Sequence, residues 1–265
     1  MLHFIQSKVL SKNKIKLIRS LDLKKYRLET GLFIAEGEKL VFDLLHSKTE
    51  ISELFCTSRT AQEALKLRKD LKIEVVSMED LSRISFLKTT PEIVAICKIP
   101  NSILNWDEVS NSLSLLLDEI QDPGNLGTIV RLADWFGIKN IFCSPGCADL
   151  YNPKVIQSTM GAFSRVNVYY TSLVEFLVRA KQFDIPVYGT YMEGENLYNC
   201  DLTPNGIIVM GNEGNGISDI AAQFMSKMIN IPSYPPGNVT SESLNVAVAT
   251  SVICAEFRRR TIYKD

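Results

Sequence analysis

From residue 113 onward the chain alternates short apolar runs with amphipathic stretches, and nothing else in the sequence restricts the fold as much. The runs LSLLL (113–117), NIFCS (140–144), RVNVYY (165–170), PVYGTYM (186–192), GIIVMG (206–211) and MINIP (228–232) read as strands. Helices are expected from about Leu126 to Phe136, over 152–163, 172–183 and 218–225, and over a long final stretch, 241–260. Continuous apolar strands joined by helices indicate a parallel sheet covered on both faces.

The first hundred residues alternate too, with a core of their own. A helix is expected over 13–30, then strand LFIAEG, a helix from Glu38 to Leu45, strand ISELFCT, helix RTAQEALKLRKDL, strand IEVVSM, a short helix EDLSRIS and strand EIVAICKI. The polar, turn-rich stretch PNSILNWDEVSNS (100–112) interrupts the alternation. The expected division is therefore a domain over 1–100, a linker over 101–112 and a second domain over 113–265.

Composition excludes several classes. Apolar residues make up 46% of the 265, too many for a disordered chain, and no run approaches the roughly 18 apolar residues of a membrane span. The N-terminal stretch lacks a signal-peptide pattern, so a cytoplasmic location is expected. Six scattered cysteines without a CxxC read as buried thiols. Only two histidines, His3 and His46, leave no inventory for a histidine metal site or a Ser-His-Asp triad. Residues 1–100 carry 18 Lys and Arg against 13 Asp and Glu, and residues 8–27 carry eight basic residues against one acidic. That segment reads either as a solvated helix face or as a phosphate-contacting surface, and its charge alone favours the first.

Ligands of open parallel sheets bind beyond the carboxyl ends of the strands. Three unusual segments fall there: DPGNLG after 117, GNEGNG after 210, and IPSYPPGNVTSESLN after 230. In the first, Asn125 is placed to cap the helix, and Leu126, Ile129, Leu132, Ala133 and Phe136 form its buried stripe. Arg131 lies off that stripe. With Gly127 one turn below it, Arg131 can lean back toward Asn125. Read alone, the pair is equally a cap and a surface arginine. In the second, Gly211, Gly214 and Gly216 permit a tight loop, and Glu213 can order a neighbouring Arg or Asn. It is neither a dinucleotide fingerprint nor a P-loop. In the third, Ser243 and Asn245 open a helix that is apolar around most of its circumference, with Ser243 or Ser241 as its cap. Such a helix must be buried in its own chain or against a partner.

With these three segments in order, the sequence resembles the SpoU family of RNA ribose 2′-O-methyltransferases, within the SPOUT superfamily. The pattern D-P-x-N-x-G-x-x-x-R-x-A matches Asp122 to Ala133, G-x-E-x-x-G matches Gly211 to Gly216, and I-P…S-L-N-V-x-V-A matches Ile231, Pro232 and Ser243 to Ala249. Through GLFIAEGEKLVFDLL, the N-terminal part resembles the family's RNA substrate-binding domain, of the L30e-like kind. The chain departs from the pattern in a longer stretch over 233–242 and in Ala247, where serine is common.

The resemblance implies an α/β fold: a C-terminal parallel-sheet domain tied in a deep trefoil knot, preceded by the small L30e-like domain. It implies S-adenosylmethionine as cofactor, lined by Gly211, Asn212, Gly216, Ile231 and Leu244, and no metal. Asn125, Arg131, Glu213, Ser243 and Asn245 take the catalytic positions. An arginine, which stays charged, fits a clamp that stabilises alkoxide charge better than a base. The family is dimeric through its last helix. Ribosomal RNA is the favoured substrate, by analogy with enzymes carrying a separate N-terminal domain. A transfer-RNA 2′-O-methyltransferase, a non-enzymatic RNA-binding relic of the fold, and an unrelated α/β enzyme for a phosphorylated small molecule stay open as alternatives.

Overall fold

The computed structural model describes residues 9–235, 241 and 243–262. In chain order the elements are α1 (Lys12–Ser20), α2 (Lys24–Thr30), β1 (Leu32–Glu36), α3 (Glu38–Leu45), β2 (Ile51–Cys56), α4 (Ser58–Leu67), β3 (Ile73–Val75), α5 (Met78–Ile84) and β4 (Ile93–Lys98). Then come α6 (Trp106–Ser110), β5 (Leu113–Leu117), α7 (Pro123–Trp135), β6 (Asn140–Cys143), α8 (Pro153–Thr159), β7 (Asn167–Tyr170), α9 (Leu173–Gln182), β8 (Val187–Asn196), β9 (Gly206–Met210), α10 (Asp219–Ala222), β10 (Lys227–Asn230) and α11 (Val246–Ile262). Two compact units result: residues up to 102 with 149–164, and residues 103–148 with those from 165 onward.

The first unit is built on a four-stranded sheet in the order β1-β4-β2-β3, with β4 antiparallel to both neighbours and β2 parallel to β3. Ile18, Leu21, Ile34, Phe55, Leu81 and Val94 form its core. The single helix expected over 13–30 is two helices, α1 and α2. The break has a tertiary cause. The Arg27 guanidinium turns back to donate to the carbonyls of Leu21 and Asp22, each at 2.7 Å, and so satisfies groups that a continuous helix would use itself. Arg27 is 2% exposed and reaches Asp149 Oδ2 at 2.5 and 3.0 Å. Phe33 packs on Tyr151 and Phe163, and Gln157 Nε2 donates to the Glu36 carbonyl at 2.7 Å, so the 149–164 segment is part of this core.

The second unit is a six-stranded, wholly parallel sheet in the order β10-β8-β9-β5-β6-β7. Every residue of β5, β6 and β9 is buried, as their apolar runs require, while the edge strands β7 and β10 are mostly half-exposed. Leu116, Phe142, Phe176, Leu177, Val187 and Val209 build one core. α6 was not anticipated. It lies in the stretch read as linker and is capped by Asn105, which accepts from Asp107 N at 3.0 Å. The six cysteines are free thiols and all are buried. Among the described residues, no helix is long and apolar enough to cross a membrane.

The last helix starts later than expected, at Val246 rather than near 241. It is also not covered on all sides. Ile253, Cys254 and Phe257 are buried, whereas Val248 is 49% exposed. α11 runs beside α7 in the same direction. Asn245 at its start meets Asn125 in the first turn of α7, and Arg258 near its end donates to the Phe136 carbonyl at 2.7 Å and to the Gly137 carbonyl at 3.2 Å.

Candidate active site

β5 and β9 are adjacent and parallel, with β8 and β10 next in order, so their carboxyl ends lie at one edge, and the segments after β5, β9 and β10 gather there although distant in sequence. The segment after β5 turns into α7. Its cap is Asp122, not Asn125: Asp122 Oδ1 accepts from Asn125 N at 2.8 Å, and Pro123 occupies the first helical turn, where a missing N–H costs nothing. The buried stripe of α7 also differs in detail. It runs through Leu126, Ile129, Val130 and Ala133, with Leu132 half-buried.

Released from capping, the Asn125 side chain joins the other two segments. Its Nδ2 donates to Glu213 Oε1, and its Oδ1 accepts from Asn245 Nδ2 at 3.0 Å. Asn245 is the residue that caps α11, its Oδ1 accepting from Ala247 N at 3.0 Å and Val248 N at 3.3 Å, so neither Ser243 nor Ser241 has that role. These bonds have only one possible polarity. Backbone N–H groups can only donate, so Asn245 must turn its oxygen to α11 and its nitrogen to Asn125. Asn125 must then present its oxygen to Asn245 and its nitrogen to Glu213. Glu213 closes the relay as an acceptor, the role of a carboxylate.

The loop after β9 is closed by its own backbone. Asn212 and Gly216 exchange N–H···O bonds at 2.9 Å in both directions. A Cβ on Gly211 would collide with the Gly216 carbonyl group and the Ile217 nitrogen, which is why glycine stands there. Gly216 takes a left-handed φ of 68°. The Asn212 side chain works inside the protein: Nδ2 donates to the Glu119 carbonyl at 2.8 Å, and Oδ1 accepts from Gly214 N at 2.9 Å and Asn215 N at 3.1 Å. Beneath the loop, the buried Asp118 carboxylate accepts from Ser218 N at 2.9 Å.

The remaining expected residues are less engaged. Arg131 is exposed on α7 and forms no hydrogen bond or ion pair among the described residues, so neither Asn125 nor Glu213 holds it. Ser243 and Leu244 precede α11 and are exposed, and Ile231 is half-buried after β10. The long 233–242 stretch falls largely outside the described residues, at 236–240 and 242.

Two features of this edge had no sequence signal. Between Met228 and Ile229 the partner strand β8 makes an excursion, from Gly189 to Glu195, whose Tyr191 and Met192 carbonyls accept from Asn230 Nδ2 at 3.1 and 2.5 Å. On it, the Tyr191 hydroxyl is buried without a partner among the described residues. Burial raises its pKa, and the charges of Asp219 and Asp118 add to the rise. Opposite, Glu119 is a non-glycine residue at φ 56°. Asp122, by contrast, was legible, since a proline in the first turn marks the residue before it as the cap.

Two family models match the chain. The model of the SpoU rRNA Methylase family matches residues 112–255, and that of the MRM3-like substrate binding domain matches residues 12–95. The 23S rRNA (guanosine(2553)-2′-O)-methyltransferase RlmP of Bacillus subtilis is 29% identical over 92% of this chain and 96% of its own length. A TrmH-family protein from Porphyromonas gingivalis superimposes with a TM-score of 0.86 at 38% identity, covering 96% of this chain and all of the other. An AdoMet-bound rRNA methyltransferase from Sinorhizobium meliloti gives 0.83 at 26% identity over 97% of this chain and 98% of its own.

Proposed function

Because the chain belongs to the SpoU rRNA methylase family, we propose that it transfers a methyl group from S-adenosylmethionine to a ribose 2′-hydroxyl of ribosomal RNA. The observation that carries this reading is the relay Asn245–Asn125–Glu213. It ties all three motif segments, drawn from the ends of β5 and β9 and the start of α11, into one hydrogen-bonded unit.

The residues present suit that cofactor. An adenosine needs apolar walls and a few polar groups, and the edge offers the exposed Leu244, the half-buried Ile231 and the Tyr191 hydroxyl, unpartnered among the described residues. Gly211, Asn212 and Gly216 shape the loop beside them. When bound, the cofactor supplies an electrophilic methyl on a sulfonium. The chain's own residues then orient the 2′-hydroxyl and stabilise the charge that develops on its oxygen. Arg131, exposed and uncommitted among the described residues, is the cation for that task and for a flanking phosphate. Glu213, Asn125 and Asn245 hold the floor of the site, and Ser243 stands at its rim.

RNA is assigned to the domain over 1–100, where Lys12 and Lys16 are exposed on the outward face of α1. The methyltransferase domain is read over 113–265, with its 149–164 segment packed in the core of the first unit, and as knotted, with the chain working as a homodimer in the cytoplasm. Trp135 (83% exposed), Ala255 and the exposed Val248 offer an apolar surface along α7 and α11 for a second copy.

The test is methyl transfer from labelled S-adenosylmethionine to ribosomal and transfer RNA assayed separately, followed by digestion to nucleosides. A 2′-O-methylnucleoside from ribosomal RNA, absent with Arg131→Ala, is expected. Label on a base, or on transfer RNA alone, would overturn the reading.

A further inference from the structure

We infer that Glu119 and Asn212 form a latch that sets the glycine loop, and with it Glu213, in register with Asn125; both are positioning residues for the reaction proposed above, on which this inference rests. Asn212 has no acceptor capacity left for a cofactor. Its Oδ1 has two lone pairs, and both are taken by the Gly214 and Asn215 amides. Its Nδ2 is committed to the Glu119 carbonyl at 2.8 Å. One side chain therefore folds the loop that carries Glu213 and fastens that loop to the segment leading into α7.

Glu119 is held so as to present that carbonyl. Its backbone is left-handed, with φ 56°, a region in which a side chain is strained. Its N–H donates to Ser144 Oγ at 2.9 Å, and the next amide, Ile120 N, donates to Cys147 Sγ at 3.3 Å. Ala148 N donates to the Ile120 carbonyl at 2.8 Å. Its side chain lies over Gly146, where a Cβ would come within 3.2 Å of Cγ and Oε1. The turn after β6 thus grips residues 119 and 120 from one side while Asn212 takes the carbonyl from the other. Non-glycine residues keep such a conformation only where their surroundings over-determine it.

Two pairs of variants test the latch. Asn212→Asp keeps the acceptor for the loop amides but sets an oxygen against the Glu119 carbonyl, and Asn212→Ser keeps a short acceptor without the reach. Glu119→Gly adopts the left-handed backbone freely, and Glu119→Val resists it. Hydrogen exchange of the 214–216 amides is read in the ligand-free protein, and kcat and KM for RNA are read beside it. The Asn212 variants and Glu119→Val are expected to speed loop exchange by tenfold or more and to lower kcat by a similar factor with little change in KM. Glu119→Gly, which keeps the left-handed backbone and its carbonyl, should leave loop exchange close to that of the wild type. Unchanged loop exchange in the Asn212 variants, or a Glu119→Gly defect equal to that of Glu119→Val, would overturn the latch. The exchange readout needs no substrate, so it stands even if the wild-type protein transfers no methyl group.

Discussion

Asn245 Nδ2 lies 3.0 Å from Asn125 Oδ1 across 120 positions of sequence, and Asn245 is at the same time the cap of α11. A single substitution separates the two tasks. Asn245→Asp keeps an oxygen for the Ala247 and Val248 amides but can no longer donate to Asn125. Asp and Asn cap about equally well, so the thermal midpoint should stay near that of the wild type while kcat falls at least tenfold. Asn245→Ala should lose activity and about 1 kcal/mol of stability as well. Thermal unfolding and methyl transfer, measured on both variants, check this.

Arg131 contributes no hydrogen bond or ion pair among the described residues. Arg131→Ala is therefore expected to change stability by no more than about 0.5 kcal/mol, as at an ordinary surface position. Turnover should fall by roughly a hundredfold or more if the guanidinium stabilises developing charge. Urea denaturation paired with single-turnover kinetics tests the split. A stability loss matching the activity loss would place Arg131 in the scaffold instead.

Arg27 is buried and pairs with the half-buried Asp149, and it also satisfies two backbone carbonyls. Arg27→Met should destabilise the protein by about 3–5 kcal/mol, since it strands the carboxylate and both carbonyls. Arg27→Met with Asp149→Leu should recover part of that loss. Chemical denaturation of the single and double variants gives the coupling directly.

Glu256 carries the pH prediction. Its hydrogen bond from Arg259, with Arg260 helping, pulls its pKa from 4.5 to about 2 against the opposing effect of burial. A depressed carboxylate pKa adds stability that is complete above the unfolded value of 4.5 and is lost as pH falls toward about 2. Allowing for the exposed Arg259, the contribution is on the order of 2 kcal/mol. Glu256→Gln should therefore be less stable than the wild type at neutral pH, with the gap closing between pH 4.5 and 2. A gap that is constant with pH would refute the assignment.

The exposed Trp135 and Val248 yield a prediction about assembly. For the homodimer proposed above, Trp135→Glu should give a monomer where the wild type sediments as a dimer at micromolar concentration, because a carboxylate buried in an apolar contact has no partner. An unchanged mass would remove this surface from the interface.

The strands were readable in the sequence because burial on both faces writes itself as uninterrupted apolar runs, as in β5 and β9. The motif residues were readable as clusters at strand ends. The rest depends on side chains that reach across the fold. Arg27 breaks a helix by claiming the carbonyls of residues 21 and 22, and its other partner stands 122 positions away. Glu119 shows no sign of its left-handed backbone, because the usual marker, glycine, is absent. Asn125 fits a cap by residue type alone. The proline two positions earlier already assigns that role to Asp122.

The parallel course of α7 and α11 has an electrical consequence. Both helices begin at the strand-end edge, so their dipoles add there, each placing roughly half a positive charge at its first turn. Arg258 meets the opposite end of α7, where the dipole is negative. The Asp122 carboxylate that caps α7 takes up part of this field and Glu213 the rest, so the two N-termini lessen the negative charge of the edge from which Arg131 projects. This part of the field belongs to the peptide backbone. Side-chain substitution cannot remove it, and only added salt would weaken it.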